Sequence, residues 1–345
     1  MYRIFVNDSI WKHANDFAEK MIKKNRVKVL WELYNTIKFP NKTSVPIEVQ
    51  TQLLDRYREY IKRIIFHYDE LFTLRYGLFS VYERTFFNIG LKEEDFSKIL
   101  ISESGKSRPF YMHIVEAMDY TDARNIMLNY VEQMHIRCCP YCNICPAETI
   151  DINDEEKIGR YQLDHFMDKH KYAFLCTSFF NLVPSCAYCN GKKTDGKILF
   201  YLYSGNKFLY ENFDNEEVVE TGPDLDSFFH FSFPNGFSKY ALNQIKENIE
   251  FKFDIDTDLQ KSHNNTFFIQ KLYEKHKDEI SIIINKIIDY LDENIEVLKT
   301  SHPKLEFSSA RKKETIFGPY LKNEEIHERA YTKLTIDIAN YFQVL

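Results

Sequence analysis

Apolar residues recur at spacings of three and four along most of this chain, the period of a helix that buries one stripe. Ile10, Ala14, Phe17, Ala18 and Met21 mark one such stripe. Leu53, Leu54, Tyr57, Ile61, Ile64, Ile65 and Tyr68 mark a second, which begins after Pro46, a residue suited to a helix start. A third helix is predicted from Thr121 or Asp122 through Met134. Phe268, Leu272, Ile280, Ile283, Ile287, Tyr290 and Leu291 define the apolar face of a long helix over residues 265–300, and a last helix is predicted over 324–343. The pattern shortens in between. Tyr161-Gln162-Leu163 and Ala173-Phe174-Leu175 predict short strands, and Ala187 to about Lys197 a helix. Phe200–Leu202 and Phe228–Phe233 suggest strands or a loop before the turn signal Pro234-Asn235-Gly236. The expected fold is therefore mainly α with a small α+β core, divided as a helical region 1–135, the core 136–210 and a mainly helical region 211–345.

The residues that carry chemistry lie in that core. Cys139-Pro140-Tyr141-Cys142 and Cys186-Ala187-Tyr188-Cys189 are two Cys-x-x-Cys loops. Each lets two thiolates reach one ion from a single turn, and together they complete the tetrahedral sulfur shell that zinc favours. Four protein ligands leave no open position, so such a zinc is structural. The register of the first pair is open, because Cys142-Asn143-Ile144-Cys145 is also a Cys-x-x-Cys and Cys138 adjoins Cys139. Asp164-His165 and Asn181 lie between the pairs, and Asn190 follows the second directly. A hard cation such as Mg²⁺ or Mn²⁺ takes oxygen ligands, which Asp164 and Asn190 supply, and a neutral histidine accepts a proton from water at physiological pH. Successive strand residues face opposite ways, so Asp164 and His165 converge on one substrate only at a kink or strand end.

The order Asp-His, Asn, then Cys-x-x-Cys-Asn-x-x-Lys resembles the zinc-clipped branch of the HNH endonucleases, over roughly residues 136–200. The resemblance implies a ββα-metal site, two strands and a helix around one divalent cation. By it, Asp164 and Asn190 hold the catalytic ion, His165 is the general base, and Asn181 braces the loop that carries the histidine. Lys192 and Lys193 face the phosphate backbone, with Lys169 a further substrate contact. The Pro-Tyr interior of the first loop resembles the family knuckle and favours Cys139 with Cys142, alongside Cys186 and Cys189, as the zinc ligands. Within the family the segment is most similar to the HNH subunit of Septu-type anti-phage systems, which implies bacterial defence and an ATPase supplied by a separate protein. Those proteins commonly read Asp-His-Phe-x-Pro-Lys, whereas here Asp168 stands at the proline position.

Each of these residues also has a plainer use. An Asn after Cys-x-x-Cys caps helices well, Asn181 suits a turn, and the lysines suit an exposed helix face. Two other functions therefore stand beside a DNA endonuclease: a non-catalytic zinc-stabilised module that binds nucleic acid or a partner, and a helical interaction protein with a degenerate knuckle. RNA is an alternative substrate. The net charge of −6 argues against a surface given over to DNA, yet residues 160–200 carry six Lys/Arg against three Asp/Glu. Glu211 to Asp226 holds seven acids and no base, as a solvated linker would. Seven cysteines, clustered and odd in number, without a leader pattern, disfavour a disulfide framework and point to the cytoplasm, and no apolar run reaches the ~18–20 residues of a membrane span. A single Asp164-His165-Asn190 set engages one strand at a time, so cutting both strands calls for a homo-oligomer or a complex.

Overall fold

The computed structural model describes residues 3–153, 157–194, 201–204, 209–211, 218–220, 231–232, 252–253, 258–291 and 325–341. Its N-terminal region is helical: α1 (Asp8–Lys23), α2 (Val27–Thr36), α3 (Ile47–Phe66), α4 (Tyr68–Leu71), α5 (Phe79–Phe87), α6 (Glu93–Ser97), α7 (Phe110–Ala117) and α8 (Tyr120–Gln133). The buried set of α1 is the stripe Ile10, Ala14, Phe17, Ala18 and Met21. Asn7 caps this helix, its side chain accepting from the Ile10 amide at 3.0 Å. Asp119, in a left-handed conformation, caps α8 in the same way through the Asp122 amide.

Strands are short and paired in twos. β1 (Ile4–Phe5) runs parallel to β8 (Tyr203–Ser204), and β2 (Leu100–Glu103) pairs with β3 (Lys106–Pro109) and β4 (Thr149–Asp151) with β5 (Lys157–Gly159). The pair that matters for function is β6 (Gln162–His165) and β7 (Leu182–Ser185), antiparallel, with Asp164 opposite Val183 and His165 opposite Leu182. Helix α9 (Ala187–Lys193) follows β7 and packs on β6, giving the order strand, strand, helix.

Several elements differ from the sequence pattern. Ala173–Leu175 is a buried 3₁₀ turn, and the second strand lies later, at Leu182–Ser185. A short apolar run does not distinguish strand from buried turn. Here Phe174 is drawn into the N-terminal core, stacked on Phe86 at 4.0 Å, while its amide donates to the Tyr60 hydroxyl at 3.1 Å. The long helix expected over 265–300 is broken into α10 (Asp258–Phe267), α11 (Ile269–Tyr273) and α12 (Lys277–Leu291), the first break falling at Phe268, whose φ is +52°. The final helix α13 covers Thr332–Tyr341. Lys197, the Pro234-Asn235-Gly236 turn, nearly all of the acidic stretch 211–226 and residues 292–300 lie outside the described residues.

The loop joining β6 to β7 is held by the N-terminal helices. Phe179 packs edge-on against Phe17 and Tyr130, and Phe180 against Trp11. Burial of each such ring stabilises by about 1.5–3 kcal/mol. One contiguous cluster of buried apolar side chains runs from Ile4 through the core segment to Ala339. Among the described residues no helix is long and apolar enough to cross a membrane.

Candidate active site

Two loops bring four thiols together. The sulfurs of Cys139, Cys142, Cys186 and Cys189 all lie within 4.8 Å of one another and are buried, an arrangement that can hold a metal ion such as zinc. Cys186 is the N-cap of α9 and accepts from the Cys189 amide at 3.4 Å, so the second pair spans the first turn of that helix. Crowding separates the thiols in acidity. Cys186, accepting hydrogen bonds first from Cys139 and then from its other neighbours, is held far below the usual thiol range, while Cys142 and Cys189 are pushed up. Of the alternative ligands, Cys138 turns away toward the Ile326, His327 and Arg329 carbonyls, whereas Cys145 stays within hydrogen-bonding reach of Cys142 and Cys186.

The first loop is gripped by the C-terminal helices. The Tyr273 hydroxyl donates to the Cys142 carbonyl at 2.8 Å, and His263 Nε2 to the Tyr141 carbonyl at 3.1 Å. Asn143, at φ +53°, donates to Cys138 Sγ and to the Ile326 carbonyl, and its own oxygens accept from the Tyr331 and Lys333 amides. An asparagine suits this corner because its short amide tolerates the left-handed region and bonds locally.

Beside the thiols opens a cleft of about 400 Å³, lined by Leu163, Asp164, His165, Asp168, Lys169, His170, Asn190 and Thr194. Strand β6 ends at His165, and this strand end lets Asp164 and His165 reach one cleft despite their alternation. His165 Nε2 lies 3.1 Å from the Cys176 carbonyl. A carbonyl only accepts, so Nε2 carries the proton and the lone pair sits on Nδ1. Burial, reinforced by Lys169, pushes the histidine down to about 3, which keeps the ring neutral at physiological pH.

Asn181 fixes the loop behind it. Its Oδ1 accepts from the Met167 amide at 2.6 Å, and its Nδ2 donates to the Met167 and Leu175 carbonyls at 3.2 and 3.0 Å. The loop that begins after His165 and includes Cys176 is thus tied at both ends. Asn190 Nδ2 donates to Gln162 Oε1 at 2.5 Å, which turns the amide oxygen away from that bond.

Asp164 is buried and engaged. Its Oδ2 accepts from the Tyr141 hydroxyl at 2.6 Å, and the Lys193 ammonium lies 3.1 Å from Oδ2 and 3.3 Å from Oδ1. Burial raises the carboxyl above its usual range, against the opposing pull of Lys193 and Tyr141. Lys193 also donates to the His165 carbonyl at 2.7 Å and is 1% exposed. The expectation that Lys193 faces the phosphate backbone is therefore corrected: the i+3 position after Asn190 turns inward on α9, and the buried carboxylate draws the ammonium with it. Lys192 is exposed, and Lys169 lines the cleft with its ammonium 5.7 Å from the Tyr120 ring centre.

Sequence reasoning gave no role to Tyr141, which links the first Cys-x-x-Cys loop to Asp164; His170, which the sequence offers as a solvated loop histidine or else a contact to phosphate or a second ion, is joined to Asp168 at 2.8 Å on the cleft wall. A tyrosine between two ligand cysteines and an Asp-x-His triplet were the available signals. A second cavity of about 230 Å³, lined by Glu279, Ile283, Lys286, Arg329 and Tyr331 among others, carries an acid and two cations but neither a histidine nor a side-chain amide. Compared with family models, curated proteins and solved structures, the chain finds no match.

Proposed function

We propose that this chain is a metal-dependent endonuclease of the HNH kind that hydrolyses DNA phosphodiester bonds. The observation that carries the reading is His165: a neutral imidazole at a strand end, its tautomer fixed by the Cys176 carbonyl, on a cleft shared with Asp164 and Asn190. That is the protonation state a general base needs. His165 Nδ1 takes a proton from water as the water oxygen attacks phosphorus, and the 3′-oxygen leaves, giving a 5′-phosphate end. Asp164 and Asn190 would hold Mg²⁺ or Mn²⁺, which when bound neutralises charge building on the phosphoryl oxygens. Of that donor set, Asp164 and Asn190 line the same cleft, and the Asp164 oxygens are engaged by Tyr141 and Lys193, so an ion held there would displace the ammonium. Lys169 and Lys192 supply phosphate contacts. The four cysteines hold a structural zinc that joins the first loop to the start of α9.

A non-catalytic, zinc-stabilised binding module is the second reading. It is favoured by the ion pair that neutralises Asp164 within the fold. The proposed setting, bacterial anti-phage defence with a separate ATPase subunit, rests on the resemblance of the Asp-His segment alone.

Supercoiled plasmid separates the two readings. With Mg²⁺ or Mn²⁺ the protein is expected to yield open-circle product bearing 5′-phosphates, with linear product requiring an assembled species, and EDTA is expected to abolish both. Asp164→Ala and Asn190→Ala are expected to lose cleavage, with partial rescue of the milder lesion by excess metal. Binding of plasmid or RNA without any cleavage in either metal would favour the non-catalytic reading.

A further inference from the structure

Helix α9 presents the cleft on one side and an aromatic, basic surface on another. Asn190 and Thr194 line the cleft, while Tyr188 and Lys192, one turn apart, emerge on a different face of the same helix. Tyr188 is 38% exposed, and its hydroxyl donates to the Phe267 carbonyl at 3.2 Å. That bond ties α9 to the joint between α10 and α11.

The joint consists of two phenylalanines with opposite fates. Phe267 is fully buried and stacks on Tyr141 at 4.8 Å. Phe268 is 41% exposed, with the ammonium of Lys192 5.4 Å and that of Lys271 6.0 Å from its ring centre. Its backbone is left-handed, at φ +52° and ψ +41°, a region where Gly or Asn fits and a bulky side chain does not. Neither the turn nor the core asks for an aromatic ring there. A part-exposed ring with two ammonium groups beside it can take a flat π-face together with flanking negative charge.

The geometry points to a nucleic-acid subsite at which the Phe268 ring stacks an unpaired base of a single strand, while Lys192 and Lys271 contact the adjoining phosphates. The substrate class rests on the nuclease reading above; the subsite itself is centred on Phe268 and Lys271, outside the strand–strand–helix segment, and shares Lys192 with it. Helix α9 is about 10 Å long at ~1.5 Å per residue, so the subsite lies within a few nucleotides of the cleft. Gly191 adds to the path, since a Cβ there would meet no atom within 4 Å and the surface is open to a backbone passing over it.

The test is binding of the zinc-loaded protein, in buffer without added Mg²⁺ or Mn²⁺, to a fluorescent oligothymidylate and to a blunt duplex, read by anisotropy. Phe268→Asn keeps a residue suited to the left-handed turn and removes the ring; it is expected to weaken oligothymidylate binding about tenfold, within the range of one lost base stack. Phe268→Trp is expected to retain affinity, and the blunt duplex is expected to respond to neither change. Lys271→Ala is expected to reduce the slope of log affinity against log salt by about 0.7, one phosphate contact on a single strand. Unchanged oligothymidylate binding by Phe268→Asn, or equal losses on strand and duplex, would overturn the subsite. Absence of oligothymidylate binding by the wild type would overturn it as well. Plasmid cleavage by the same wild-type preparation judges the nuclease reading separately, so either can fail alone.

Discussion

At the scale of single residues, the buried ion pair beside the cleft is that of Asp164 and Lys193, which are 6% and 1% exposed. Breaking a buried pair by removing one partner strands the other charge, whereas removing both costs far less. Lys193→Met is therefore expected to destabilise the protein by about 3–5 kcal/mol, and the double variant Asp164→Asn with Lys193→Met to recover part of that loss. Urea unfolding of the two single variants and the double variant measures the coupling; additive effects would show that the pair does not act as a unit. That Asp164, His165 and Asn190 share one cleft, with Asn181 in the loop behind, was legible in the sequence because an acid, a base and an amide stand between the two cysteine pairs and a second amide follows directly on the last cysteine. The inward turn of Lys193 was not legible. Two adjacent lysines read alike, and only the packing of α9 on β6 decides which ammonium meets the carboxylate and which meets solvent.

At the scale of elements, the first Cys-x-x-Cys loop is a joint between the four-cysteine cluster and the C-terminal helices, and Asn143 is its centre. Its side chain is buried, bonded to Cys138, to the Ile326 carbonyl and to the Lys333 amide. Asn143→Ala leaves the Ile326 carbonyl and the Lys333 amide without these partners in a buried place and is expected to cost about 2–6 kcal/mol, at 1–3 for each stranded group. Limited proteolysis is expected to cut the C-terminal region of this variant faster than that of the wild type, and equal protection would contradict the joint. Helices were easiest to read where a single stripe faces the core, as in α1. The turn at Ala173–Leu175 and the break at Phe268 were hidden because both depend on distant partners: Tyr60 and Phe86 for the first, Tyr141 beneath Phe267 for the second.

At the scale of the whole molecule, three buried histidines, His113, His165 and His263, are all held below their usual range, mainly by burial. The unfolded chain takes up these protons near pH ~6.5, while the folded chain resists them until lower pH. Their stabilisation is thus full above pH ~6.5 and falls as the pH drops below it, to about 3 in the case of His165. Asp164, raised by burial, acts in the opposite sense, its contribution lost as the pH rises through its raised value. Urea midpoints are expected to drop steadily from pH 7.5 to 5, with a shallower slope in His113→Gln; a flat profile would mean that these rings are not buried neutral. The central claim is that one histidine at the end of β6 does the chemistry. Its most direct measurement is Mg²⁺-dependent plasmid cleavage by wild type and His165→Ala matched for zinc content, thermal unfolding and DNA affinity. Loss of at least about 10²-fold in rate, the lower end of a general base's contribution, is the result expected. Cleavage by His165→Ala at the wild-type rate would contradict the account.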